Sequence, residues 1–204
     1  SDSTVSIKTV LGYENGGDLI ISSGYTLVSE VYVTYKGLAK LIAKDMFTPN
    51  TTVTNNSITY NYDTTHSLME DVGGNIRYYG ASPNNYIYFN CSDYSNQSSS
   101  TCETWRIIGV FDGKVKIMRN EVIGSLAWDQ DKNIDSSVTT HDNDWSTASL
   151  KVLLNEQYYN GDTAGTVTYY SGSDGSISTS LDMSSIGIKN DTTRNLISDT
   201  LYYL

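Results

Sequence analysis

The stretch "TWRIIGVFDGKVKIMRN", residues 104–120, constrains this chain more than any other. Two runs rich in β-branched and aromatic residues flank Asp112-Gly113, a dipeptide that readily takes positive φ at both positions and so fits a two-residue type I′ hairpin turn. Such a turn sets the register of everything beside it. Counting outward, Val110 should face Val115 and Ile108 should face Ile117 on one side of the hairpin. Ile107 should face Met118, and Trp105 should approach Asn120, on the other. Both sides are then apolar, which predicts a hairpin at the centre of a sheet rather than at its edge.

Downstream, "NDWSTASLKVLLNEQYYN" (residues 143–160) has helical spacing. Ser146 is a good N-cap, Asp144 stands where a helix dipole favours negative charge, and Asn160-Gly161 is a stop signal. Leu150, Leu153, Leu154, Gln157 and Tyr158 trace one face, a stripe that reads as core. Upstream, "DLIISSGYTLVSEVYVTY" alternates and predicts two or three antiparallel strands, followed by a short helix in "GLAKLIAKDMF", with Leu38, Leu41, Ile42 and Met46 inward and Pro49 closing it. Residues 48–75, rich in Thr and Asn with a Gly73-Gly74 break, read as a linker or long loop. "IRYYGASPNNYIYFNC" (residues 76–91) predicts two strands about a turn. The tail reads as a Gly/Ser loop and then a helical pattern from Thr193 through Leu196, Ile197, Leu201 and Leu204, uncapped, as in a chain that continues further.

Charge narrows the partners. With Asp+Glu 23 against Lys+Arg 13, the formal net charge of −10 repels phosphate backbones and anionic head groups, which argues against nucleic acid. No run of about 18 apolar residues is present to span a bilayer, and "SDSTVSIKTV" is too polar for a signal peptide. Only 18% of residues are charged while Ser, Thr, Asn and 17 Tyr abound, a composition that suits an exported protein. Cys91 and Cys102 enclose a polar segment, spacing that suits a disulfide closing a small loop and hence an oxidising, extracellular setting.

Three chemistries have candidate residues. Asp129, Asp131, Asn133 and Asp135 follow the alternate-oxygen spacing of a calcium loop, with Asp142 and Asp144 able to add ligands. Ile134 stands where an EF-hand needs Gly, and Thr140 where it needs Glu, so a solvated acidic loop is preferred and calcium kept as the alternative cofactor. His66 and His141 are too few for zinc when both cysteines are oxidised. "STCETWR", with Cys102 and Arg106, faintly resembles a sortase site with His66 or His141 as its histidine, but a cysteine in a disulfide is no nucleophile. Asn50, Asn55, Asn90, Asn96 and Asn190 each begin an N-x-S/T sequon and are expected on surface loops.

Trp105, Arg106, Gly109, Asp112, Gly113, Trp128, Trp145, Ser146, Leu150, Leu154, Asn155, Tyr158 and Tyr159 together carry a wider pattern: a "WRIIGV-x-DGKVKI" hairpin, a polar loop with "W-D", then "W-S…L-x-x-x-LN-x-x-Y". In this the chain resembles an uncharacterised family of secreted and surface-attached domains of Gram-positive and gut bacteria. The resemblance covers about half the chain. It implies an α+β domain, with likeness to C-type-lectin-like or formylglycine-generating-enzyme-like folds, and a role in adhesion, binding or scaffolding.

The expected architecture is therefore α+β, a twisted antiparallel sheet with a few short flanking helices. It divides into a β-rich segment over 1–47, a linker over 48–75 and a main domain over 76–204. The expected function is a non-catalytic extracellular module of a bacterial surface protein that binds protein or glycan. A filament or pilus subunit self-assembling by strand pairing is the alternative, and a cysteine transpeptidase or hydrolase the lesser one.

Overall fold

The computed structural model describes residues 3–5, 25–27, 35–129, 145, 146, 148–171 and 177–199. They are mixed α+β and fall into two compact units, one of residues 1–89 with 93–121, the other of residues 90–92 with 122–204.

The first unit is built on a seven-stranded sheet of order β3-β4-β5-β6-β8-β7, with β9 also on β8. Its strands are β3 (Thr51–Asn55), β4 (Ile58–Asp63), β5 (Leu68–Glu70), β6 (Ile76–Tyr78), β7 (Tyr86–Phe89), β8 (Glu103–Phe111) and β9 (Lys114–Arg119), every pairing antiparallel. Residues 48–75 are thus no linker, because they supply three strands of the main sheet. Thr is β-branched and fits a pleated surface, and "ITYNY" alternates Ile58, Tyr60 and Tyr62 against Thr59 and Asn61. Asn56 and Ser57, at φ of 49° and 65°, form a two-residue turn between β3 and β4. The contact boundary lies at residues 121 and 122, not between 48 and 75.

The hairpin turn is as expected: Asp112 and Gly113 have φ of 49° and 72°, and Val110 pairs with Val115. The register then shifts between Ile107 and Gly109, so that Ile107 pairs with Ile117, Arg106 with Met118 and Trp105 with Arg119. Ile108 is the extra residue of a β-bulge. Without it, Ile107 and Val110, three apart, would face opposite sides; with it both enter one core. Gly109 is required at this point, because a Cβ there would lie 2.3 Å from the carbonyl oxygen of Ile76 on β6. β8 is central, since Trp105, Arg106, Gly109 and Val110 each pair with β9 and with β6 or β7; β9 is not.

Helix α1 (Tyr35–Lys40, continuing with wider π-type turns over Leu41–Met46) covers one face of this sheet. Leu38 and Ile42 pack with Leu68, Ile76, Ile107 and Val110, and Tyr78, Ile87, Val115 and Ile117 border them. The helix therefore shares a core with the sheet and is not part of a separate 1–47 element. β1 (Ser3–Val5) and β2 (Tyr25–Leu27) pair in parallel, against the antiparallel expectation. Alternation reports burial on one face and carries no information on strand direction, and the long connection between them permits a crossover.

The second unit packs helix α2 (Ser149–Val152, continuing over Leu153–Tyr158) on a hairpin of β10 (Thr166–Ser171) and β11 (Ile177–Asp182). Its core joins Leu153, Tyr169, Leu181 and Met183, with Leu150 and Tyr158 beside them. The expected Gly/Ser loop is thus in large part a hairpin, formed where Val167 and Tyr169 alternate with Thr166 and Thr168. Gly161 ends the helix at φ of 49°, its Cα pressed against Ile188 so closely that a Cβ would sit 2.1 Å from the carbonyl oxygen. Two short helices follow, α3 (Met183–Ile186) and α4 (Asp191–Arg194). The helical pattern from Thr193 closes after one turn, and residues 201–204 lie outside the described residues.

Candidate functional site

Cross-strand partners share a face of a sheet, so the register separates the covered face from the opposite one. On the opposite face, one row crosses six strands: Thr51, Tyr62, Met69, Arg77, Gly109 and Lys116 are successive partners. A second row is Tyr86, Arg106 and Met118, a third Phe111 and Lys114, and a fourth Val53 and Tyr60. Ile58 lies on this side too, two residues from Tyr60. These side chains are large, yet Tyr86 is 55% exposed, Met118 53%, Val53 46% and Ile58 42%. Large aromatic and aliphatic side chains so exposed on one sheet face are unusual in a folded chain.

The cations on this face are organised by its rings. Gly109 adds no side chain to the row, and Arg77 on one side and Lys116 on the other both reach Phe111, with distances to the ring centroid of 4.6 and 5.6 Å. Arg106 stacks 5.3 Å over Tyr86. Each arginine is also tethered through Nε, Arg77 to Asp71 Oδ2 at 2.5 Å and Arg106 to Asn85 Oδ1 at 3.2 Å. Asn85 is buried and donates to the carbonyl of Ile107, which fixes it to β8. Burial alone would raise the Asp71 carboxyl, but the Arg77 guanidinium and N–H donors of Asn75 and Gly73 hold it below its ordinary value. Asp71 is therefore ionised wherever Arg77 needs its partner. Tyr62 and Tyr79 add an edge-to-face pair, centroids 5.0 Å apart.

The residues singled out in the sequence fall elsewhere. Cys91 and Cys102 are disulfide-bonded and buried, and no free cysteine remains. The transpeptidase alternative thereby lacks a thiolate. Asp129 caps helix α2, accepting the Ser149 N–H at 3.0 Å, while the Trp128 carbonyl accepts from Leu150. Ser146 is not the N-cap; the helix starts after Ala148, and an acceptor from 20 residues upstream replaces a local one. Asp131, Asn133, Asp135, His141, Asp142 and Asp144 lie outside the described residues. Among the described residues no cluster of His, Cys, Asp and Glu is arranged to hold a metal.

His66 and Asp63 form a pair that acid–base chemistry could use, Nδ1 to Oδ2 at 2.7 Å. Their surroundings give them a structural task. Asp63 also accepts from the N–H groups of Thr48, Thr65 and His66, and so fixes the turn between β4 and β5. Of the sequons, Asn90 is fully buried, bonded to the Gly187 carbonyl and the Lys189 N–H, and Asn190 caps α4 and donates to the Cys91 carbonyl. Neither is the surface acceptor expected, since each side chain is committed to backbone groups.

Comparison with protein-family models, curated proteins and solved structures finds no match to this chain. Among the described residues no helix is long and apolar enough to cross a membrane.

Proposed function

We propose that this chain is a non-catalytic binding module of a bacterial surface or secreted protein, acting in adhesion through the uncovered face of its seven-stranded sheet. One observation carries the reading: Tyr86, Met118, Val53 and Ile58, large residues that a folded chain ordinarily buries, are aligned by the register on one exposed face. Tyrosine offers contact area at small entropic cost together with a hydroxyl, which suits glycan or protein ligands. The buried disulfide agrees with work outside the cell.

The test is binding of the labelled 204-residue chain to a glycan array and to intact bacterial and epithelial cells, beside a Tyr86→Ser/Met118→Ser variant. Both side chains are over half exposed, so the variant should keep its melting temperature while losing most bound signal. Equal binding by variant and parent would remove this face from the function.

A further inference from the structure

An edge strand leaves a row of main-chain donors and acceptors without partners, and folded chains ordinarily shield that row with charge, shortness or cover. Among the described residues β3, β7 and β9 each pair with a single strand. β7 has four residues, of which Tyr86 alone is exposed. β9 carries Lys114, Lys116 and Arg119 along its six residues. β3 has neither protection: Thr51, Thr52, Val53, Thr54 and Asn55 are all exposed, and no charged residue lies between Thr51 and Tyr62.

The hairpin dictates which groups are open. A two-residue turn closes on a hydrogen-bonded pair, here Asn55 with Ile58, and bonded residues then alternate along the ladder. Asn55, Val53 and Thr51 therefore turn their N–H and C=O groups toward β4. The Asn50 N–H, which bonds the Tyr62 carbonyl beside Thr51, agrees with that phase. Thr52 and Thr54 turn their main-chain groups outward, away from β4.

We infer that β3 pairs antiparallel with β3 of a second copy of this chain, about a two-fold axis at Val53. The order of residues selects this occupant. Thr-Thr-Val-Thr-Asn is nearly a palindrome about Val53, as suits a contact that sets each residue against its mirror position. In that register Thr52 of each copy exchanges its main-chain bonds with Thr54 of the other, so every outward group of the strand is used. The two Val53 side chains meet as a close, non-hydrogen-bonded pair and cover residues that are 46% exposed in the single chain. Chains of net charge −10 repel one another, and this edge lets two of them touch without bringing charges together. A charged partner finds nothing here to pair with. The inference goes beyond the ligand-binding reading of the uncovered face and does not depend on it.

Sedimentation velocity of the whole chain from about 10 μM to about 1 mM tests it, a range suited to a strand contact smaller than a standard interface. The mass should rise with concentration from 22.5 kDa toward twice that value and stop there. Val53→Lys and Val53→Glu should each weaken dimerisation by at least about tenfold. An equimolar mixture of the two should restore it, because self-pairing at position 53 sets the opposite charges side by side. Thr54→Pro removes an outward N–H while sparing the bonds to β4, so it should act as Val53→Lys does and keep a melting temperature near the parent's. A chain that stays monomeric throughout, a dimer indifferent to the Val53 and Thr54 variants, or growth past the dimer would each overturn the two-fold pairing. The Tyr86→Ser/Met118→Ser variant should dimerise like the parent, so loss of this inference leaves adhesion through the uncovered face to be decided by the array.

Discussion

Asp63 illustrates how a residue can look catalytic and be architectural. Burial raises its carboxyl pKa, but the Thr48 N–H, the His66 ring and the His66 N–H together hold the net value below the ordinary one. A carboxyl so depressed in the folded state adds stability above its unfolded pKa of about 3.9, and that stability disappears as pH falls through the lower folded value. Urea midpoints at pH 7 and pH 3 should therefore converge for an Asp63→Asn variant relative to the parent, with the variant weaker by about 2–4 kcal/mol at pH 7. Gly109→Ala makes a sharper claim on one atom. Its new methyl group meets a backbone carbonyl that cannot rotate away, and the loss should be at least about 2 kcal/mol in the same assay. A cost below about 0.5 kcal/mol would show that β6 and β8 separate easily.

At the scale of the element, helix α2 was legible in its stripe and its stop but not in its start. Leucine spacing and Gly161 are local signals; the cap is Asp129, which only the folded chain brings to Ser149. Asp129→Ala should cost about 1 kcal/mol, and Ser146→Ala close to nothing, as read by thermal melts. The reverse order would restore the local cap. The strands β3 and β4 were missed for a related reason. Asn56-Ser57 performs the turn that Asp112-Gly113 performs, without the glycine that announces it, and Thr-rich strands resemble loops in composition. The exposed face of the sheet was invisible in sequence because its rows join residues as distant as Thr51 and Lys116.

For the molecule as a whole, the disulfide is the constraint that can be removed without substitution. In the chain-entropy account, closing a loop of this length stabilises by up to roughly 3 kcal/mol. Reduction should lower the melting temperature by several degrees, and reoxidation should restore it. An unchanged melt would mean that the bond restricts the unfolded chain little. A different lesson concerns Ile108. The bulge is one residue long, and deleting it would make the β8–β9 ladder regular while turning either Ile107 or Val110 away from α1. The faces of the sheet would exchange occupants on one side of that point, mixing rings and cations into the core. Natural variants of this domain should therefore differ freely in side chains along the hairpin, yet keep its length from Trp105 to Arg119 unaltered.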